Sequence, residues 1–193
     1  RADREVAGWR SDNSTAEACI RRLPEELSMA DSAIKLPEQD MTFDEWIDWA
    51  SRQDQGRYEL YDGRVYMMSP DMVGHARAKL GVVNALQAAI GAHGAPCEAF
   101  VDGPTIKIDD RKGFEPDVIV NCGPTIPETE LVAPNPVVLV EILSPSSRRI
   151  DTRIKLTEYF KLPSVHHYLI AALEQKTLVH HWRGREDRIE TQI

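Results

Sequence analysis

The sequence predicts an α/β fold, a central mixed sheet flanked by helices and preceded by an N-terminal helix and hairpin. Three observations point to it. Val137 to Leu143 is a run of Val, Leu, Ile and one Glu, entered from Asn135-Pro136 and left through Ser144-Pro145-Ser146-Ser147, the pattern of a short strand buried on both faces. From His75 to His93, Val82, Val83, Leu86, Ala89 and Ile90 recur at helical spacing, and Gly94 supplies the stop. After the serines a helix is expected from about Arg149 to Leu162, ended by Pro163, and then a strand from Val165 to Ile170. Strand, helix, strand in that order suggests a right-handed parallel crossover.

The remaining elements follow in chain order. Residues 1–40 mix charged and small residues with Pro24 and Pro37, and the helical pattern from Thr15 to Leu23 has a thin apolar face. They are expected to form a partly flexible N-terminal extension, within which Met29 would serve as a start, and residues 41–193 the folded domain. Thr42 and Glu45 form the ends of a capping box opening a short helix that carries Phe43, Trp46, Ile47 and Trp49. Two alternating runs around Asp62-Gly63 predict a hairpin. Strands are expected at Cys97–Val101, Thr105–Ile108 and Val118–Val120, and residues 122–135, with three prolines, read as a returning loop. Thr177 to Trp182, a turn at Gly184 and Arg188 to Ile193 predict a closing hairpin.

Composition narrows the function classes. A chain of 193 residues with 42% hydrophobic and 28% charged content suits a globular protein, and no apolar run approaches the roughly 20 residues that span a bilayer. No secretory signal is visible in the chain as given, so a cytoplasmic location is expected, with no membrane partner. The three cysteines, Cys19, Cys97 and Cys122, show no paired spacing and are expected to be reduced. A net charge of −8 argues against coating nucleic acid by charge alone, though not against a nucleic-acid enzyme that uses a metal ion and a local basic patch.

Glu141 is the residue that does not belong. An unpartnered carboxylate inside an apolar strand costs several kcal/mol, so a cation, a metal ion or the water of a cleft must compensate it. If the strands at 118 and 137 are loop-connected antiparallel neighbours, Asp117 comes near Glu141. Two carboxylates at one sheet edge suit Mg²⁺ or Mn²⁺.

Pro116-Asp117 followed by Glu141 in an apolar strand resembles the PD-(D/E)XK nuclease superfamily, whose fold is restriction-endonuclease-like. Taken with Tyr58-Glu59-Leu60-Tyr61-Asp62-Gly63, His75-Ala76-Arg77, Val140-Glu141-Ile142-Leu143-Ser144-Pro145-Ser146 and Lys155-Leu156-Thr157-Glu158-Tyr159, the chain is similar, over about residues 41–182, to the Uma family of prokaryotic restriction endonucleases. The parent motif has Lys two residues after the Glu, where this chain has Leu143; the residue matching the Uma pattern is Lys155, on the next helix.

The resemblance implies a metal-dependent endonuclease acting on DNA. Asp117 and Glu141 would bind Mg²⁺ or Mn²⁺, with the Ile142 carbonyl and Glu59 adding to the shell, and Lys155 would orient the attacking water. His75, Arg148, Arg149 and Arg153 are candidate nucleic-acid contacts, and a homodimer is an expectation by analogy. Two other classes stay open: a binding module that keeps the fold without turnover, and a metal hydrolase of a small phosphoester. Simpler readings exist for single residues. Lys155 lies four residues after Asp151, as in a helix-surface ion pair. His75 suits a helix start, and the pairs His166-His167 and His180-His181 fall in strands, where neighbours face opposite ways and cannot easily share one metal. Ser144, Ser146 and Ser147 lack a Gly-x-Ser-x-Gly elbow and read as turn and cap residues.

Overall fold

The computed structural model describes residues 35–143 and 150–193. The readings of Thr15–Leu23, Met29, Ser144, Ser146, Ser147, Arg148 and Arg149 lie outside the described residues. Helix α1 (Phe43–Ala50) opens with the expected box: the Thr42 hydroxyl accepts from the Glu45 N–H, and Glu45 accepts from the Thr42 N–H at 2.8 Å. β1 (Tyr58–Tyr61) and β2 (Arg64–Met67) form the hairpin. Its turn residues, Asp62 and Gly63, both have positive φ (50° and 84°), which is why Asp-Gly is favoured there.

Helix α2 (Val73–His93) ends at Gly94, whose φ of 61° closes the last turn. Then come β3 (Cys97–Val101), β4 (Ile106–Asp109), β5 (Lys112–Phe114), β6 (Val118–Cys122) and β7 (Pro136–Ile142). Ile150–Lys155 winds as a π-helix that passes into the short α3 (Leu156–Tyr159) where a longer α-helix was expected. β8 (His167–Ala172), β9 (Thr177–Arg183) and β10 (Ile189–Gln192) complete the chain.

The strands form two sheets, one in the order β2-β1-β5-β4 and one in the order β10-β9-β8-β7-β6-β3. β7 and β8 run parallel, as the strand–helix–strand pattern predicts, and the other neighbours are antiparallel. β6 and β7 are covered on both faces. Val118, Val120 and Val140 pack with Val83 of α2 and Ala99, while Ile119 and Leu139 join Tyr159, Tyr168 and Phe114 on the other side. A third cluster, Phe43, Trp46, Tyr58, Leu60 and Val65, holds α1 on the hairpin.

Two further details depart from expectation. β5 was not anticipated, because three residues centred on Gly113 show neither alternation nor strand propensity. It forms because Gly113 passes under α1: a Cβ there would meet Phe43 and Trp46 ring atoms at 2.5 and 2.6 Å. β5 thereby ties the hairpin to β4. The expectation of reduced cysteines is corrected for two of the three, since Cys97 and Cys122 face each other across β3 and β6 and are joined as a disulfide. Their 25-residue separation gave no spacing to read; the register of two non-adjacent runs brings them together.

Candidate active site

β6 and β7 build the site. Val118 is opposite Val140, so one further step along the ladder brings Asp117 to Glu141. Both are 3% exposed. Asp117 Oδ2 accepts from the Ile142 N–H at 2.7 Å, which binds the start of one strand to the end of the other. The carboxylates then turn to different partners.

Glu141 faces the helix that follows it. Lys155 and Tyr159, four residues apart and so on one helix face, both reach Glu141 Oε1: Lys155 Nζ at 2.9 Å and the Tyr159 hydroxyl at 2.6 Å. Lys155 also lies 2.8 Å from Glu59 Oε1, on β1 of the other sheet, and is 2% exposed, so it points into the protein and not along a helix surface. Glu59 accepts from the Glu115 N–H at 3.3 Å. The Tyr159 phenol is held well above its ordinary pKa of 10.0, first by burial and then by the negative charge of Glu141, and so remains a hydrogen-bond donor.

Asp117 faces α2. Its Oδ1 lies 2.8 Å from Lys79 Nζ, and the same ammonium meets Asp71 Oδ2 at 2.6 Å and Asp102 Oδ1 at 2.8 Å. Burial alone would depress the Lys79 pKa, but the hydrogen bonds it donates to three carboxylates outweigh it and the net shift is upward. Asp102 continues to Arg57 Nη1 at 2.8 Å, and Arg57 Nε donates to Glu115 at 2.6 Å. His75, one turn before Lys79, is 8% exposed. Its Nε2 abuts the Ile142 carbonyl oxygen and lies 3.7 Å from Asp117 Oδ2. Its Nδ1 is 2.9 Å from Asp71 Oδ1 but out of line for a hydrogen bond, leaving a buried nitrogen without a partner.

The structure therefore divides the predicted residues. Glu59, Glu141 and Lys155 meet, whereas Asp117, with Ile142 beside it, sits with His75 and the unpredicted Asp71 and Lys79. Among the described residues, Asp71, His75 and Asp117 are the three metal-ligating side chains whose donor atoms lie within 4.8 Å of one another. Arg153 is exposed. Lys79 and Asp71 were missed because α2 was read by its apolar residues. The available signal was the four-residue spacing of His75, Lys79 and Val83, which are the buried residues of that helix. Of the other histidines, His167 Nδ1 is 3.0 Å from His180 Nε2, while His181 stacks on Tyr168, so consecutive histidines do face opposite ways.

Comparison with known proteins bears on the fold and the family. A protein of Synechocystis sp., "Uncharacterized protein slr1290", is 28% identical over 134 residues, 67% of each chain. The crystal structure of "a putative nuclease belonging to DUF820" from Anabaena variabilis superposes with a TM-score of 0.61 at 18% identity, covering 78% of this chain and 83% of that one. It shares the fold described above. The Uma2 family model, whose description is "Putative restriction endonuclease", matches residues 42–193, the whole of the α1-to-β10 unit, and the chain belongs to that family.

Proposed function

We propose that this protein is a metal-dependent endonuclease that hydrolyses phosphodiester bonds of DNA. The observation that carries the reading is that two carboxylates, Asp117 and Glu141, each 3% exposed, lie at the joined ends of β6 and β7, Glu141 with Lys155 at 2.9 Å and Asp117 with Lys79 at 2.8 Å. The donors fit a divalent cation: hard carboxylate oxygens, a backbone carbonyl at Ile142, and a buried imidazole edge that already touches that carbonyl. Asp117 and Glu141 would hold Mg²⁺ or Mn²⁺, with the Ile142 carbonyl and Glu59 adding to the shell. The bound ion supplies a polarised phosphoryl oxygen and a water of lowered pKa.

The rest of the chemistry falls to side chains. Lys155 carries a compact ammonium that orients the attacking water and offsets charge gathering on the phosphoryl oxygens. Tyr159 keeps Glu141 aimed, and the Ile142 N–H does the same for Asp117. A second reading has its own observation: the Asp71, His75 and Asp117 cluster would take the ion with one nitrogen ligand, which favours Mn²⁺ over Mg²⁺.

The test is nicking of supercoiled plasmid by the purified protein in Mg²⁺ or Mn²⁺, with EDTA, Asp117→Ala and Glu141→Ala as controls and circular dichroism to confirm folding. Cleavage should vanish in all three controls. Wild-type protein that binds metal and cleaves no nucleic acid would sink the nuclease reading in favour of a small-phosphoester hydrolase, and absence of metal binding would favour the binding module. Retained binding in His75→Ala with loss in Glu141→Ala selects the first ligand set over the second.

A further inference from the structure

The protein contains five tyrosines. Four are packed against other rings: Tyr58 on Trp49, Tyr61 on Phe114, and Tyr159 on both Phe114 and Tyr168. Tyr66 is the tyrosine for which no ring contact is found among the described residues, and it is 51% exposed. Its place is set by the hairpin register, in which Tyr66 is the direct partner of Glu59. Directly paired residues of an antiparallel ladder project from the same face, with Cβ atoms about 4.5–5.5 Å apart. Glu59 uses that face to reach Lys155 at 2.8 Å. The alternate residues, Leu60 and its partner Val65, point the other way into the α1 cluster. The exposed phenol ring is thus the next side chain out from the Glu59, Lys155 and Glu141 group.

The chain beyond it carries apolar groups in place of the cations expected around a phosphate site. Residues 66–73 contain no Lys or Arg, and Met72 and Val73, which flank Asp71 at the start of α2, are 58% and 67% exposed. With a net charge of −8, the protein gains little from a polyanion's charge. Base stacking on an aromatic face is independent of that charge. A base within a duplex has both faces covered by its neighbours, so only an unpaired or flipped-out nucleotide can present one.

We infer that Tyr66 is a stacking platform for the base next to the scissile phosphate, and that the site acts on unpaired nucleic-acid strands. This rests on the nuclease reading and names its substrate class. The experiment is fluorescence anisotropy of a labelled twelve-nucleotide thymidine oligomer, single-stranded and annealed to its complement, in Ca²⁺ buffer, with wild type, Tyr66→Ala and Tyr66→Phe. Wild type should prefer the single strand. Tyr66→Ala should weaken single-strand binding by about 5- to 150-fold, with the melting temperature and the slope of log K against log salt unchanged, and Tyr66→Phe should bind as wild type. A Tyr66→Ala protein that binds the single strand normally, or a wild type that grips duplex equally well, overturns the inference and leaves the nuclease reading standing. Wild-type protein that binds neither form removes both.

Discussion

The two buried lysines solve one electrostatic problem in different ways. Each is 2% exposed, and each neutralises a carboxylate at the end of the β6/β7 pair. Lys79 comes from the second turn of a 21-residue helix and spreads its three N–H bonds over Asp71, Asp102 and Asp117, all within 2.8 Å. Lys155 comes from the last turn of a π-helix and bridges Glu59 and Glu141, one from each sheet. The first arrangement is built into a long, regular element whose next turn, at Val83, is in the core. The second joins the two sheets and shares Glu141 with a neutral donor, Tyr159. The contrast suggests that Lys79 chiefly holds the architecture and that Lys155 is the cation poised for chemistry.

Removing each lysine should separate the two tasks. Lys79→Met leaves three carboxylates grouped without their ammonium. Breaking a buried pair costs about 3–5 kcal/mol, which for a domain of this size lowers the melting temperature by about 10 °C. Lys155→Met should melt closer to wild type, since Tyr159 still donates to Glu141 at 2.6 Å. Plasmid nicking by Lys155→Met should fall by about 10²–10³-fold. Differential scanning calorimetry beside a nicking assay checks both; the comparison breaks if Lys155→Met is the less stable protein or keeps full activity.

Tyr159→Phe sharpens the contrast on a smaller scale. It removes one hydrogen bond to a buried carboxylate and leaves Lys155 in place, so a loss of about 1.5–3 kcal/mol is expected in chemical denaturation. The phenyl ring should keep its edge-on packing against Phe114 and Tyr168. A loss under 0.5 kcal/mol, on the order of a surface substitution, would mean that Lys155 suffices for Glu141.

How much of this was legible varies with the kind of residue. The capping box, the Asp62-Gly63 turn and the Gly94 stop were readable because each is a local rule about backbone groups. The adjacency of Asp117 and Glu141 was readable because an apolar strand makes a charged residue conspicuous and a proline-rich loop connection implies antiparallel pairing. Lys79 and Asp71 were not, because on a mixed helix a buried lysine looks like a solvated one until its partners are known. Those partners, Asp102 and Asp117, are supplied from other parts of the chain. Register explains the remaining misses: Cys97 opposite Cys122, and Gly113 opposite Leu60, are relations between strands and leave no trace within either.

Protonation distinguishes the lysine networks from His167, a part-buried histidine whose ring neighbour is another histidine. Lys79 titrates above its ordinary 10.5, so its contribution is complete below that pH and is lost only as pH rises through the folded value. Asp71 titrates below its ordinary 3.8, desolvation being outweighed by Lys79, so its contribution is lost only as pH falls through the folded value. Neither of these two groups titrates between those limits. His167 behaves oppositely. Burial first, then the neighbouring His180 and His166, hold it below its ordinary 6.5, and the unfolded chain takes up the proton before the folded one. Stability should be full above pH 6.5 and decline as pH falls from there toward the folded value, with His181 adding to the trend through its own burial and His180. The melting temperature should drop by a few degrees on acidification and His167→Gln should flatten the decline, whereas the deficit of Lys79→Met relative to wild type should be the same at pH 5.5 as at pH 8. A His167→Gln profile that parallels wild type would place the acid sensitivity elsewhere.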